Sequence, residues 1–95
     1  MYDISEELYR TAVGLLLDRI NEQRYICEVI EFEYKEILCH LHISAVIYQQ
    51  TSLYPEGEIT AISDIIPVWW EFHTYNSEGV EILNTFSFNE LRQYI

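Results

Sequence analysis

The sequence predicts an α+β protein: one helix on an antiparallel sheet of four strands, followed by a short C-terminal helix. Two patterns support this. Apolar residues recur at helical spacing near the start of the chain, and they alternate with polar residues through most of the remainder. The 95 residues are enough for a single domain, residues 1–95. The predicted order α-β-β-β-β-α, with the strands in meander order, makes a two-layer sandwich.

The first helix is predicted from about Ser5 to about Gln23. Ser5 is suited to cap its N-terminus, although Asp3 and Glu6 also have capping-box spacing. Its apolar residues cover an arc of about 220°, whereas a helix on one sheet needs little more than about 100°. The excess indicates a second cover, either the C-terminal segment or a second subunit.

Four strands follow the first helix, separated by turn-forming residues. They are predicted at Tyr25 to Tyr34, Ile37 to Ile47, Ile59 to Tyr75 and Val80 to Phe86. Residues 50–57 are interpreted as a turn-rich connection, and Pro67 marks an edge, a bulge or a break in the third strand. Residues 76–79 predict a type I turn. Ser87 and Glu90 form a capping box for a terminal helix that ends at Tyr94.

The first hairpin is predicted to turn near Tyr34 and Lys35. Pairing Phe32 with Ile37 places apolar residues opposite one another, and it places Cys27 opposite His42.

A helix laid across a curved meander resembles the cystatin-like architecture, and a small acidic αβ protein is similar to the bacterial secretion chaperones. Both resemblances rest on element order alone, with no diagnostic motif. They imply nothing about individual residues.

The charge argues against several classes of partner. With 16 acidic and 5 basic residues, the net charge of -11 opposes binding to nucleic acids and to anionic membranes. It favours a basic protein partner. A simpler interpretation is that the acidic residues keep an aromatic-rich surface in solution.

Trp69 and Trp70 are the most informative residues, because neighbours in a strand point to opposite faces of a sheet. Trp70 is predicted to lie in the core and Trp69 on the far face. The far-face positions are unusually apolar and aromatic for a solvated surface, and such residues are typical of interfaces. We therefore expect a subunit or partner interface at Leu38, Val46, Tyr48, Trp69, His73 and Tyr75.

The same face carries three histidines that could ligate a metal. His40 and His42 project from one side of one strand, and His73 lies on the next strand. With Cys27 they would offer nitrogen and sulfur ligands to zinc, but their spacing matches no zinc motif. They are the candidate metal ligands, and ordinary surface histidines are the alternative. We expect no bound zinc and no other cofactor.

No pattern indicates an enzyme. The sequence has no phosphate-binding glycine loop, no GxSxG and no HExxH. Cys39 and His40 are strand neighbours that point apart, so they form no dyad. Cys27 and Cys39 are interpreted as reduced thiols of a cytoplasmic protein, and the acidic N-terminus is unlike a signal peptide.

Three functional hypotheses remain open. The first is a homodimeric, non-enzymatic protein that binds another macromolecule. The second is an acidic inhibitor or nucleic-acid mimic that occupies a basic groove, which acidic residues clustered on one face would favour. The third is a small metal-binding protein that uses the histidines. The acidic candidates for the second are Glu28, Glu31, Glu33, Glu36, Glu56 and Glu58.

Overall fold

The computed structural model describes residues 1–20 and 24–95. Its elements are α1 (Glu6–Arg19), β1 (Tyr25–Tyr34), β2 (Ile37–Tyr54), β3 (Gly57–Tyr75), β4 (Glu81–Ile82) and α2 (Phe88–Arg92). The strands form one antiparallel sheet in the order β1-β2-β3-β4. The predicted α+β class and element order are therefore confirmed. Neither described helix is long and apolar enough to cross a membrane.

Ser5 caps α1 as predicted, because its hydroxyl accepts a hydrogen bond from the Leu8 N–H at 3.2 Å. The helix ends at Arg19, and Ile20 already has extended backbone angles. The prediction that the helix continues to about Gln23 is therefore wrong at Ile20. The remaining predicted residues, 21–23, lie outside the described part of the chain.

The first hairpin has a different register from the predicted one. Phe32 pairs with Cys39 rather than with Ile37, a shift of two residues that leaves every side chain on its predicted face. The turn is Lys35 and Glu36, and both have positive φ, 46° and 69°. This two-residue turn matches the right-handed twist of the strands, although glycine and asparagine usually occupy such positions.

β2 and β3 form a hairpin far longer than predicted. Residues 50–57 are not an extended connection, because β2 continues to Tyr54 and only residues 55 and 56 turn. The ladder shifts register at two places, between Ser44 and Ala45 and between Tyr48 and Gln49. Pro67 lies at the first shift, as expected for a residue without a backbone N–H.

The end of this hairpin, residues 50–61, projects beyond the helix-covered part of the sheet and is called the arm. All of its residues are exposed except Ser52, which is half-buried. Leu53 and Ile59 are 79% and 58% exposed. The arm contributes to a molecule that measures 53 × 23 × 18 Å.

β4 is shorter than the predicted strand from Val80 to Phe86, because only Glu81 and Ile82 pair with β3. The chain beyond it pairs instead with the N-terminal segment: the Tyr2 N–H donates to Leu83 O at 2.8 Å, and the Thr85 N–H donates to Tyr2 O at 3.1 Å. The turn before β4 closes as predicted, with a 3.0 Å bond from the Gly79 N–H to Asn76 O.

α2 begins after Ser87 as predicted, but the capping box does not form, because the Ser87 hydroxyl makes no capping hydrogen bond. The Ser87 N–H donates instead to the hydroxyl of Tyr9 on α1 at 3.1 Å. Tyr9 also stacks on Tyr94 with ring centroids 5.7 Å apart. The C-terminal segment is therefore one cover of the wide apolar arc on α1.

The core lies between the helices and one face of the sheet. Leu8, Ala12 and Leu16 of α1 are fully buried, as their four-residue spacing requires. Ile43 is 1% exposed and lies opposite Trp70 in the ladder. Trp70 is only partly buried and contacts the ring of Phe86 at 5.3 Å. Both residues are thus on the predicted face.

Candidate functional site

The candidate site is the face of the sheet opposite α1, called here the open face. Both helices contribute to the core on the other side, and within the described ranges no helix or strand covers this one. Alternation along each strand determines its members. They are Tyr25, Cys27, Val29, Glu31 and Glu33 of β1, Leu38, His40, His42, Ser44, Val46 and Tyr48 of β2, and Ile66, Trp69, Glu71, His73 and Tyr75 of β3.

The half of the open face nearer the arm is mostly apolar and aromatic, and Asp64, whose carboxylate pairs with Arg92, lies opposite Tyr48 there. The large apolar members of this half form the aromatic block. Trp69 is 49% exposed and lies opposite Ser44. The ring of His42 meets Trp69 edge-on at a centroid distance of 6.4 Å. The aromatic block consists of Tyr25, Val46, Tyr48, Ile66 and Trp69. Because these side chains are large and only partly buried, they offer apolar area to a partner without a change in fold.

The half nearer the first hairpin carries histidine and glutamate side by side, and its members form the His/Glu block. His40 lies between Glu31 and His73 in the ladder. The rings of His42 and His73 meet edge-on at 5.8 Å. The His/Glu block consists of Glu31, His40, His42, Glu71, His73 and, from β4, Glu81.

His73 is held by carboxylates at both ring nitrogens. Nε2 is 3.0 Å from Glu71 Oε2, and Nδ1 is 3.3 Å from Glu81 Oε1. The hydrogen bond to Glu71 raises the pKa of His73 above its usual value, partial burial opposes this rise, and the charge of Glu81 adds to it. His73 is therefore the histidine that the surrounding acidic groups most clearly favour in its charged form.

His40 has an unsatisfied nitrogen. Its Nε2 atom is enclosed and makes no hydrogen bond to any described residue, and Glu31 Oε1 stands 4.0 Å away. The ring lies against Tyr75 at a centroid distance of 5.1 Å. Since Glu31 is well exposed, a small movement of its side chain would satisfy this nitrogen.

The four candidate metal ligands do not converge. Cys27 lies opposite Ser44 rather than His42, because the register differs from the predicted one, and the Ser44 hydroxyl donates to Cys27 Sγ at 3.3 Å. Among residues 1–20 and 24–95, no three His, Cys, Asp or Glu side chains are arranged to hold a metal ion. His73, moreover, is already engaged by two carboxylates.

Cys39 lies on the opposite side of the sheet from His40, as strand alternation requires. It is fully buried, and burial raises the pKa of its thiol to about 11. A thiol with this pKa is almost entirely protonated at neutral pH, so it is a poor nucleophile.

The acidic side chains are spread over the molecule. Glu28 lies on the helix side, 3.6 Å from Arg19, while Glu31 lies on the open face. Glu36 is in the first turn, and Glu56 is at the tip of the arm. The six acidic residues singled out by the sequence therefore do not form one continuous row.

Tyr25 and Val29 were missed as members of the open face, although both are about half exposed there. The alternation of Ile26 and Ile30 could have identified them, because their neighbours must point away from the core. Glu81 was also missed as a neighbour of His73, since the position of β4 depends on tertiary pairing. No family model, no curated protein and no solved structure matches the chain.

Proposed function

We propose that the protein is a small, acidic, non-enzymatic interaction protein of the cytoplasm. It acts as a homodimer and binds another protein through the open face. The observation that carries this proposal is the aromatic block, where Trp69, Tyr48 and Tyr25 are each about half exposed on a sheet face that no described helix or strand covers. Tryptophan and tyrosine are the residues most enriched among those that dominate binding energy.

Charge favours a basic partner over a second copy on this face. The aromatic block is bordered by Glu71 and by the rest of the His/Glu block, and the whole chain carries -11. Two copies packed face to face would bring these acidic groups together, whereas lysine or arginine on a partner would pair with them. The proposed partner is therefore a protein with an apolar patch bordered by basic residues.

The acidic-mimic alternative is less well supported by the same geometry. A mimic of a nucleic acid needs a continuous row of negative charge. Here Glu28 is on the helix side and paired with Arg19, and Glu56 is at the tip of the arm, whereas Glu31 and Glu33 are on the open face.

The experiment is a pull-down from the native source with immobilised protein, followed by binding measurements on each purified captured protein. Trp69→Glu tests the aromatic block. Leu83→Glu is the matched control, because it adds the same charge at an apolar residue that is 72% exposed outside the sheet face. We expect the partner to bind wild type and Leu83→Glu, to lose at least about tenfold in affinity for Trp69→Glu, and to bind more weakly at high salt.

Three outcomes would contradict the proposal. Partners that bind Trp69→Glu as tightly as wild type would remove the open face from the interaction. A wild type that retains no protein above the blank resin would leave the face without a partner. A captured protein whose binding strengthens with salt would contradict the basic chemistry assigned to the partner.

A further inference from the structure

Arg24 differs from the other four basic residues of the chain. Those four form ion pairs within the protein, and they are Arg10 with Glu6, Arg19 with Glu28, Lys35 with Glu7 and Arg92 with Asp64. Arg24 forms no ion pair with any described residue, although the chain has 16 acidic side chains. It lines a cleft of about 370 Å³ together with residues 46–49 and Thr51.

The cleft lies where β1 stops and the outer edge of β2 becomes open. The Ile47 N–H donates to Arg24 O at 2.7 Å, so the backbone of Ile47 points toward the side of β1. Backbone groups alternate along an antiparallel strand. Thr51 and Leu53 therefore direct their N–H and C=O groups to the same side, where no described strand pairs with them.

This edge lacks the features that protect the other two edges of the sheet. β1 carries Glu28, Glu31 and Glu33, and β3 carries Glu58, two register shifts and Pro67. Charge, bulges and proline are the usual means by which sheet edges avoid pairing with another chain. Residues 50–54 of β2 have no charge, no proline and no register shift.

The direction of a strand added to this edge determines which of its residues lie close to Arg24. A strand antiparallel to β2 runs the same way as β1, so its C-terminal end points at Arg24. β2 itself ends with Tyr54 and is followed by Pro55 and Glu56. If Ser52 lies opposite Ser52 of a second copy, Tyr54 of that copy lies opposite Gln50. The turn of that copy, with Pro55 and Glu56, then follows in the direction of Arg24.

We infer that the homodimer forms through the arms: β2 of each copy pairs with β2 of the other about a two-fold axis at Ser52. The tip of each arm enters the cleft of the other, and Glu56 meets Arg24 twice by symmetry. This inference supplies the contact of the proposed homodimer, but it rests on the arm and on none of the open-face residues. The open faces stay available to a partner.

The long arm also reduces the electrostatic cost of bringing two acidic chains together. Residues 48–54 span about 20 Å, which is more than twice the screening length of about 8 Å at physiological salt. Most of the acidic groups of the two bodies therefore remain apart, while Arg24 and Glu56 attract. A dimer through the open faces would lack this separation.

The experiment is a charge exchange read out by sedimentation equilibrium. We expect wild type to dimerise, and Arg24→Glu and Glu56→Arg each to weaken the dimer about tenfold or more. The double variant Arg24→Glu/Glu56→Arg should recover most of the loss, because it restores both pairs with opposite sign. Glu58→Arg is the matched control at the tip, since it makes the same charge change on the outer strand, and it should dimerise like wild type.

Three outcomes would overturn the inference. A wild type that is monomeric at millimolar concentration has no arm contact. If the double variant dimerises no more tightly than the single variants, Arg24 and Glu56 do not pair in the dimer. A dimer that Trp69→Glu abolishes while the arm variants retain it places the second copy on the open face. If Trp69→Glu no longer binds the purified partner but still dimerises, the result concerns the open face alone. The proposed function and the arm dimer can therefore be contradicted by different measurements.

Discussion

Arg92 of α2 forms a bidentate ion pair with Asp64 of β3. Its Nε donates to Oδ1 at 3.1 Å, and a terminal nitrogen donates to Oδ2 at 2.6 Å. Asp64 Oδ1 also accepts the Ile65 N–H at 2.8 Å. The bond from Arg92 is the main reason that the pKa of Asp64 lies below its usual value. The pair fastens the C-terminal helix to the longest strand.

Asp64→Asn is expected to destabilise the protein at neutral pH and to have little effect in acid. A carboxylate whose pKa is lowered by folding stabilises the fold above its unfolded pKa, near 3.8, and this stabilisation is lost as the pH falls through the lower folded pKa. Urea unfolding at pH 7, 5 and 3 measures the gap in the free energy of unfolding between wild type and Asp64→Asn. Asp3→Asn, at an exposed aspartate, is the control; a gap that stays constant to pH 3 would contradict this role.

Ile43→Ala is expected to cost about 2–5 kcal/mol, the usual range for emptying such a core site. Ile43 is 1% exposed and contributes to the core with Leu8 and Leu16. Chemical denaturation gives the free energy of unfolding. Val80→Ala is the control, because Val80 is mostly exposed and should change stability by less than about 0.5 kcal/mol. An unchanged midpoint for Ile43→Ala would mean that the faces of the sheet are reversed.

Glu36→Gly is expected to stabilise the protein by about 0.5–1 kcal/mol. Glu36 has φ of 69°, a region that costs an ordinary residue about 1–2 kcal/mol and glycine very little, although glycine gains entropy in the unfolded chain. Thermal and urea unfolding measure the change. Glu36→Ala separates backbone from charge, since it removes the carboxylate and keeps the strain. If Glu36→Ala stabilised the protein as much as Glu36→Gly, loss of the carboxylate charge rather than relief of backbone strain would explain the gain.

The pair of His73 and Glu71 should make stability depend on pH in the neutral range. Folding raises the pKa of His73, so the stabilisation is complete below the unfolded value near 6.5 and is lost as the pH rises through the higher folded pKa. Glu71→Gln should therefore lower stability more at pH 6 than at pH 9. Urea unfolding at both pH values and an NMR titration of His73 measure this. Glu33→Gln is the control, and an equal loss at both pH values would contradict the mechanism.

The purified protein is expected to hold no stoichiometric zinc. Cys27 lies opposite Ser44, and both nitrogens of His73 face carboxylates, so a tetrahedral set would need extensive rearrangement. Elemental analysis after dialysis measures the metal. Equimolar zinc that disappears in His40→Ala/His42→Ala would make the histidines ligands. The open-face proposal would then lose its main support.

The fold class was predictable because two signals were strong. The Ser5 cap with the spacing of Leu8, Ala12 and Leu16 predicted a helix and its buried side, and alternation predicted the faces of the strands. The pairing of Phe32 was not predictable, because a shift by two residues preserves every face. Choosing between the registers required the turn at Lys35 and Glu36, which lacks the usual glycine or asparagine.

The arm was the largest feature that the sequence concealed. Pro55 and Gly57 predicted a loop around them, yet these turn residues occupy only the tip of a hairpin whose strands continue on both sides. Polar residues such as Gln50 and Thr51 suit an exposed ribbon as well as a loop, so composition could not separate the two. The lack of an ion pair between Arg24 and any described residue was not predictable either, since only tertiary structure shows which cations find partners.

The backbone pairing of Tyr2 with Leu83 and Thr85 bears on how the chain folds during synthesis. During synthesis α1 leaves the ribosome before the residues that pack on it. Tyr94, which stacks on Tyr9 of α1, and the residues that bond to Tyr2 emerge about eighty positions later. The β2 and β3 strands between them pair with each other across the turn at residues 55 and 56, so this hairpin can begin to form before residues 83–85 are synthesised. Pairing of Tyr2 with Leu83 and Thr85 then follows, and a nascent chain halted before residue 83 would keep its first helix incompletely covered.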